Sequence, residues 1–429
     1  MSGMKRVSLP YGRGEVTFEI PEERLNAVLT PLQEEGGEPD QEAIVRRALE
    51  HPIGSPRVSE LARGKKRILV ITSDHTRPVP SRITLPIYLS EIRRGAPEAE
   101  IHILIATGMH RPTTREEMLD KFGEDIVNHE QLIVHVSTDN DHMTFKGTLP
   151  SGGELWLNDQ VDWAELVVSE GFIEPHFFAG FSGGRKSILP GIASRVTVCY
   201  NHNAEFIDSP FARTGVIDGN PIHEDMLYAA RAAHLAFICN VVVSAAHEVL
   251  FAVAGDCDRA HIAGRNFLLQ YCQVDKIPAD IVISTNGGYP LDQNIYQAVK
   301  GMTAAEATVN EGGVIIMVAS STDGHGAPRF YQTFKEEPDN EKLMAQFRAT
   351  PKEETIPDQW QSQIFVRLME RATVIYISEA DDQMVRDLHM TPAHSIEEAI
   401  AKADEILAAK GIKDAGITVI PDGVSVIVL

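Results

Sequence analysis

Short runs of apolar and β-branched residues recur along the chain, and this pattern predicts buried strands. In the first part of the sequence the runs lie at 67–72 (RILVIT), 101–106 (IHILIA) and 166–173 (LVVSEGFI). The segment between the first two runs has helical character, which indicates a β-α-β unit with parallel strands. Similar runs return in the second part at 280–284 (DIVIS), 313–319 (GVIIMVA) and 373–378 (TVIYIS).

Helices are predicted where apolar periodicity coincides with start and stop signals. A Thr-x-x-Glu pattern and the following Gly123 delimit a helix at 114–122. A second helix begins near Pro221, since proline is favoured at the first helical position. A third is expected at 395–410, after a Ser-x-x-Glu pattern. Residues 321–360 are polar and weakly periodic, and we interpret them as a long excursion with one short helix.

The length of 429 residues exceeds the size of one growing hydrophobic core. We therefore expect two α/β domains with a ligand cleft between them. Residues 1–274 would form the cofactor-binding and catalytic domain, and residues 275–429 would form a second domain that contributes substrate contacts. The pattern leaves open a return of the last strand to the first domain.

The net charge of −22 argues against nucleic-acid partners and anionic membrane surfaces. No stretch approaches the roughly 20 apolar residues that span a bilayer, and the amino terminus lacks the apolar run of a signal peptide, so a cytoplasmic protein is expected. The four cysteines form no C-x-x-C pair and are interpreted as reduced, mostly buried thiols.

The stretch 174–202 (EPHFFAGFSGGRKSILPGIASRVTVCYNH) concentrates residues that carry chemistry. It places His176, Lys186 and His202 around a glycine-rich segment that follows a predicted strand, where open α/β sheets bind ligands. One alternative is a phosphate loop, but Arg185 stands where that motif requires glycine before its lysine. Another is a simple tight turn, with Arg185 and Lys186 as solvated charges.

Two further polar clusters follow predicted strands. Asp74 and Arg77 lie after the 67–72 run, and His110 lies after the 101–106 run. Arginine suits bidentate recognition of a carboxylate, and histidine suits proton transfer near neutral pH. The alternative is that Asp74 and Thr113 merely cap helices. Lys300 follows the 280–284 run, and taken alone a single lysine is more often a solvated charge.

Several familiar motifs are absent from the sequence. There is no G-x-G-x-x-G for a dinucleotide, and the spacing of His129, Glu130 and His135 does not match H-E-x-x-H. There is also no G-x-S-x-G, which argues against a serine hydrolase of the α/β type.

The order of these motifs resembles the lactate racemase family of nickel-pincer nucleotide-dependent 2-hydroxy acid racemases and epimerases. The resemblance covers nearly the whole chain. It is carried by SDHTRPVPSR at 73–82, ATGMHRPT at 106–113, EPHFFAGFSGGRKSILPG at 174–191, NH at 201–202 and GGYPLDQNIYQAVKG at 287–301.

The resemblance implies a role for each candidate residue. Lys186 would be joined covalently to the nickel-pincer nucleotide, and His202 would ligate its nickel. His110 and His176 would be the acid/base pair on opposite faces of the substrate. The other implied contacts are Asp74 and the Gly183–Gly184 backbone for the cofactor, and Arg77, Lys300, Gln297, Tyr296 and Trp360 for the substrate.

The implied reaction inverts C2 of a 2-hydroxy acid, lactate first among them. Hydride transfer avoids a carbanion beside a carboxylate, while two histidines exchange the hydroxyl proton. The implied partners are the hydroxy acid and the proteins that synthesise the cofactor. Two alternatives stay open: a non-catalytic protein that stores the nickel cofactor or binds a hydroxy acid, and a nucleotide-dependent enzyme with a loop like a phosphate loop.

Overall fold

The computed structural model describes residues 3–32, 40–244 and 247–429. The strands are β1 Met4–Tyr11, β2 Gly14–Pro21, β3 Leu25–Val28, β4 Arg67–Ser73, β5 Glu100–Ala106, β6 Gln131–Val134, β7 Met143–Thr148, β8 Glu154–Asn158, β9 Leu166–Phe172, β10 Pro175–His176, β11 Gly180–Phe181, β12 Leu235–Val243, β13 Val249–Gly255, β14 Gln273–Val274, β15 Ala279–Thr285, β16 Val309–Val318, β17 Thr373–Ile377, β18 Thr391–Ala393, β19 Ile417–Ile420 and β20 Ile427–Val428. The α-helices are α1 Gln41–Glu50, α2 Val58–Ala62, α3 Ser81–Gly95, α4 Arg115–Phe122, α5 Glu124–His129, α6 Gln160–Trp163, α7 Arg195–Asn201, α8 Ala204–Asp208, α9 Pro221–Ala232, α10 Arg259–Cys272, α11 Ile295–Thr308, α12 Pro328–Glu336, α13 Asn340–Ala349, α14 Gln359–Arg371, α15 Asp382–Asp387 and α16 Ile396–Ala409.

The chain divides into two compact units. The N-terminal unit comprises residues 33–202 and 209–270, and the C-terminal unit comprises residues 1–32, 203–208 and 271–429. The predicted boundary at 275 is close to the observed one. The assignment of the first 32 residues to the first domain is wrong, because β3 pairs with β19 of the C-terminal unit. The last strand, β20, pairs with β14 and also stays in that unit.

The N-terminal unit is built on a six-stranded sheet in the order β13-β12-β9-β4-β5-β6. Its strands are parallel except for the antiparallel pair β12–β13. The central strands β4 and β9 are almost wholly buried, as expected for a parallel sheet covered on both faces. The predicted β-α-β unit is confirmed, since β4 and β5 are parallel and α3 connects them.

The C-terminal unit contains a second six-stranded sheet, in the order β18-β17-β16-β15-β19-β3, with every pair parallel. The hairpin β1–β2 contributes apolar residues to the same core. The α/β class predicted from the alternating pattern is therefore confirmed for both units.

The capping signals place three helix starts correctly. Thr114 caps α4 and forms a capping box with Glu117, Asn220 caps α9 and Ser395 caps α16. The prediction for 321–360 is incomplete, because that segment contains the two helices α12 and α13. Across the described part of the chain, no helix has both the length and the apolar character needed to cross a membrane.

All four cysteines are buried, which confirms that part of their interpretation. Burial raises the pKa of the Cys257 thiol to about 11, and nearby carboxylates add to the effect. A thiol with a raised pKa carries little of the reactive thiolate at neutral pH. The cysteines of this chain are therefore placed as core residues.

Candidate active site

Two of the predicted clusters meet at one edge of the N-terminal sheet. Strands β4 and β5 are parallel neighbours, so their carboxyl ends lie side by side. Asp74 directly follows β4 and His110 follows β5 by four residues, and the Nδ1 atom of His110 lies 2.7 Å from Oδ2 of Asp74. The prediction that residues at these strand ends belong to one site is therefore supported by a direct contact.

Asp74 is 1% exposed, and its carboxylate accepts hydrogen bonds from three groups. Oδ2 accepts from His110 Nδ1, and Oδ1 accepts from the hydroxyl and the backbone N–H of Thr76, at 2.7 and 3.2 Å. Burial alone would raise the pKa of Asp74, but these hydrogen bonds and the charges of His110 and Arg77 lower it below its usual value. The residue is a charged acceptor at neutral pH.

The carboxylate fixes the tautomer of His110. An ionised carboxylate only accepts, so Nδ1 of His110 carries a proton and, in the neutral ring, Nε2 is left with its lone pair. The His110 side chain is 43% exposed, in contrast to the buried Asp74. The helix-capping alternative is wrong for both residues it named: Asp74 closes a local turn onto Thr76, and Thr114 rather than Thr113 caps α4.

Arg77 lies on the same turn and is half-buried. Its backbone carbonyl accepts a hydrogen bond of 2.9 Å from Nζ of Lys121 on α4. Burial lowers the pKa of Lys121, partly offset by the nearby carboxylates of Glu170 and Asp74. The sequence analysis missed Lys121, because a lysine near the end of an amphipathic helix gives no signal of burial.

The 174–202 stretch brings its three predicted residues around the ring of Phe178. Nζ of Lys186 lies 3.5 Å from Nε2 of His176 and 5.8 Å from the Phe178 ring centre. The rings of His176 and His202 meet Phe178 edge-on, with centroids 4.6 and 5.0 Å away. Two imidazoles and one amine therefore converge on a single aromatic side chain.

His202 is 4% exposed and follows the last residue of α7. Burial lowers its pKa to about 3, and the positive charge of Lys186 acts in the same direction. The ring is therefore neutral at physiological pH, which is the form that ligates metals. Within the residues that the structure describes, no cluster of three or more His, Cys, Asp or Glu is placed to hold a metal ion.

Two donors face the ring of His176 from opposite sides. The N–H of Ala179 donates a hydrogen bond of 3.3 Å to Nδ1 of His176, and Nζ of Lys186 lies 3.5 Å from Nε2. A lysine ammonium only donates, so each nitrogen of the ring faces a donor. His176 therefore differs from His110, whose Nδ1 faces a carboxylate.

Arg185 is not the solvated charge of the tight-turn alternative, because it is only 1% exposed. Its guanidinium donates to Nδ1 of His223 at 3.0 Å and to the carbonyls of Ala179, Ser182 and Gly183 at 2.8, 3.4 and 3.2 Å. It also lies 3.0 Å from Nε2 of His261. Sequence reasoning missed this network, since its partners are far apart along the chain.

The glycines of the loop permit close packing. A Cβ atom at Gly183 would lie 2.7 Å from the carbonyl oxygen of Phe172, and both Gly183 and Gly184 have positive φ. The N–H of Gly184 donates to Oδ1 of Asn240 at 2.8 Å, so this amide already has a protein partner. Cofactor binding by the two glycines stays a prediction.

The phosphate-loop alternative lacks its structural context. That motif needs a helix that begins at the lysine, so that the helix N-terminus faces the phosphate. Here Gly184–Ser187 forms one short 3₁₀ turn, and the next helix, α7, begins only at Arg195. The geometry argues against a nucleotide site of that kind.

The remaining candidates lie in the C-terminal unit. Tyr296, Gln297 and Lys300 are in the first turns of α11, where spacings of three and four residues put them on one face. Trp360 is in the first turn of α14. The Tyr296 hydroxyl donates to Asp358 at 2.8 Å, and burial together with that carboxylate raises its pKa. The Tyr296 carbonyl accepts from Gln361 of α14, which ties the two helix starts together.

The site combines histidines, a buried carboxylate and a partly buried amine near the strand ends of a mostly parallel sheet, which is the arrangement of an α/β enzyme. Residues 11–215 match the model of the lactate racemase N-terminal domain, and residues 274–428 match that of the lactate racemase C-terminal domain. The chain belongs to the lactate racemase family.

Relatives and solved structures agree with this family assignment. The chain is 52% identical to a lactate racemase of Thermoanaerobacterium thermosaccharolyticum, over 99% of both chains, and 50% identical to one of Lactiplantibacillus plantarum, over 99% of this chain and 100% of the relative. The solved apoprotein of the first relative superposes with a TM-score of 0.95, over 99% of this chain and 100% of that one. A Thermotoga maritima protein, 18% identical with a TM-score of 0.63 over 91% of this chain and 98% of that one, shares the fold.

Proposed function

We propose that this chain racemises lactate, with His110 and His176 as the acid/base pair and a nickel-pincer nucleotide held by Lys186 and His202. The observation that carries the proposal is the contact of His110 with a buried carboxylate. Asp74 accepts a hydrogen bond from Nδ1 of His110, which leaves Nε2 of the neutral ring with the lone pair that a general base needs. His176 lies 3.5 Å from the amine of Lys186, beside the proposed point of cofactor attachment, and supplies the second imidazole.

The residues present fit the proposed cofactor. His202 is a buried, neutral imidazole, which suits a nickel ion whose other ligands are soft sulfurs supplied by the cofactor itself. Lys186 carries its amine to the same aromatic ring that His202 touches. What the cofactor supplies when bound is a reversible acceptor for the C2 hydride.

The protein's own part in the reaction is proton transfer and orientation. Nε2 of His110 would accept the hydroxyl proton as the substrate is oxidised to the 2-oxo acid. His176, in its protonated form, would return a proton to the carbonyl oxygen from the opposite face, which gives the other enantiomer. Arg77 pairs with the substrate carboxylate. In the reverse direction the two histidines exchange roles.

The other substrate contacts, Lys300, Gln297, Tyr296 and Trp360, stay predictions, as do a cytoplasmic location and the supply of the cofactor by dedicated synthesis proteins. The test is a panel of single-enantiomer 2-hydroxy acids, assayed by chiral chromatography with protein produced alongside those synthesis proteins. Intact-mass analysis checks Lys186 for the adduct. Loss of optical purity of lactate supports the proposal.

Two outcomes separate the alternatives. An adduct on Lys186 without racemisation of any hydroxy acid would favour a storage or binding protein. No adduct, although the synthesis proteins load a known lactate racemase in parallel, would remove the cofactor from the proposal. Lys186→Ala serves as the matched control, because without its amine no adduct forms.

A further inference from the structure

Arg185 is a buried cation, and all its hydrogen-bond partners among the residues that the structure describes are neutral. Its guanidinium contacts three backbone carbonyls and the rings of His223 and His261. Burial lowers the pKa of His223 to about 3, and the charge of Arg185 acts in the same direction, so that ring accepts as a neutral imidazole. Burial lowers the pKa of Arg185, and the charge of Asp258 offsets this only in part. A buried charge without a hydrogen-bonded carboxylate is costly, so a side chain placed this way calls for an explanation.

The contacts of Arg185 lie in the segment between His176 and Lys186. Its carbonyl partners belong to Ala179, Ser182 and Gly183, which lie between His176 and Lys186 in the chain. The histidine partners come from outside the loop, on α9 and α10. One side chain therefore ties the backbone of the loop to α9, and it lies beside His261 of α10, whose Nε2 donates to the carbonyl of Ser182.

Two asparagines hold the same loop at single points. Asn220 donates to the carbonyl of Phe178 at 2.8 Å, and Asn240 accepts from the N–H of Gly184. Each joins one site on the loop to one element, whereas the guanidinium fork reaches several carbonyls at once. At the position where a phosphate loop has glycine, this chain therefore has a side chain that contacts the loop at several points.

We infer that Arg185 is a positioning residue that keeps the amine of Lys186 and the imidazole of His176 at their observed separation. The inference rests on the proposed function, since it assigns Arg185 a role in cofactor attachment and in proton transfer by His176. The inference also applies to the apoprotein alone. Without the guanidinium of Arg185, the loop relaxes and the amine of Lys186 moves away from Phe178 and His176.

The apoprotein test is competitive labelling of lysines with acetic anhydride, read by peptide mass spectrometry. Arg185→Met should raise the labelling rate of Lys186 by about threefold or more, because a half-buried amine reacts faster when it is released into solvent. Labelling of Lys410, in the other unit, should not change. Arg195→Met, which alters an exposed arginine of the same stretch, is the matched control and should label as wild type.

The holoenzyme test compares kcat and KM for lactate in the fraction that carries the adduct. Arg185→Met should lower the adduct yield and kcat by about tenfold each, while KM changes by less than about twofold, because the substrate contacts are untouched. Arg185→Lys keeps the charge without the fork and should recover only part of the loss. Should Arg185→Met fail to fold, His223→Leu removes one acceptor and should give a smaller change in the same direction.

The inference is overturned if folded Arg185→Met, or folded His223→Leu where the first does not fold, labels, attaches cofactor and turns over as wild type does. A merely structural role predicts a lower melting temperature with unchanged labelling and turnover in the folded fraction, which also overturns it. If the wild type acquires no adduct while Arg185→Met still exposes Lys186 to the label, the positioning role stands and the proposed cofactor fails.

Discussion

The two histidines proposed as the acid/base pair lie in contrasting surroundings within one unit. His110 is nearly half exposed and is oriented by a buried, charged carboxylate. His176 packs against two phenylalanine rings and is oriented by a backbone N–H. The difference teaches that the two rings are oriented by different kinds of group: a side-chain carboxylate faces Nδ1 of His110, and a backbone N–H faces Nδ1 of His176.

The two histidines also differ in how a single substitution can affect them. The tautomer of His110 depends on one side chain, that of Asp74, so a point change reverses it. The orientation of His176 depends on a contact with the backbone of the loop, so it responds when the loop itself is disturbed. The same substitution at both histidines therefore tests whether the groups that orient them matter for turnover.

The largest expected effect comes from removing either histidine. His110→Gln and His176→Gln should each lower kcat by about 10²–10⁴-fold, the usual contribution of a general acid or base, while the adduct on Lys186 persists. Steady-state rates with each lactate enantiomer and intact-mass analysis provide the two readouts. His75→Gln, at the neighbouring position after β4, is the control. Unchanged turnover in either variant would remove that histidine from the mechanism.

Asp74→Asn should have the next largest effect. The amide can donate to Nδ1 of His110 and so favour the wrong tautomer, as happens when the aspartate of a serine-protease triad is replaced, and kcat should fall by about 10²–10³-fold. The environment of His176 does not involve Asp74, so adduct formation should match wild type. A variant that keeps its rate would show that the carboxylate does not set the role of His110.

His135 is a buried histidine without a proposed catalytic role, and it tests how burial of an imidazole affects the pH dependence of stability. Burial lowers its pKa to about 4, and its Nε2 lies 3.0 Å from the carbonyl of Ala193. The unfolded chain binds a proton near pH 6.5, so between about pH 6.5 and 4 it binds more protons than the folded chain. Stability is therefore present above that window and falls as the pH drops, by at most about 1.4 kcal/mol per unit from this residue.

His135→Gln keeps a donor for the Ala193 carbonyl but does not titrate. Urea unfolding at a series of pH values should show a shallower loss of stability below pH 6.5 in this variant than in wild type. If both proteins lose the same stability below pH 6.5, other groups govern the acid sensitivity, such as His223 with its similarly lowered pKa.

Local patterns were sufficient to predict much of this fold but not its long-range connections. The strands β4, β5 and β9 follow from their β-branched runs, and parallel neighbours imply that Asp74 and His110 meet. The pairing of β3 with β19 joins segments almost 400 residues apart, and no local pattern encodes it. The burial of Arg185 was not predicted for a related reason. Arginines are usually exposed, and the histidines around this one come from distant helices.

The smallest expected effect concerns Lys121, which supports the turn that carries Arg77. Lys121→Met keeps the length of the side chain but removes its hydrogen bond to the Arg77 carbonyl, so KM for lactate should rise by about threefold to tenfold, with kcat changed by less than about twofold. Lys66→Met, at an exposed position, is the control. A selective rise in KM would place substrate binding on the His110 side of the site. An unchanged KM would mean that Arg77 either holds its place without Lys121 or does not bind the substrate.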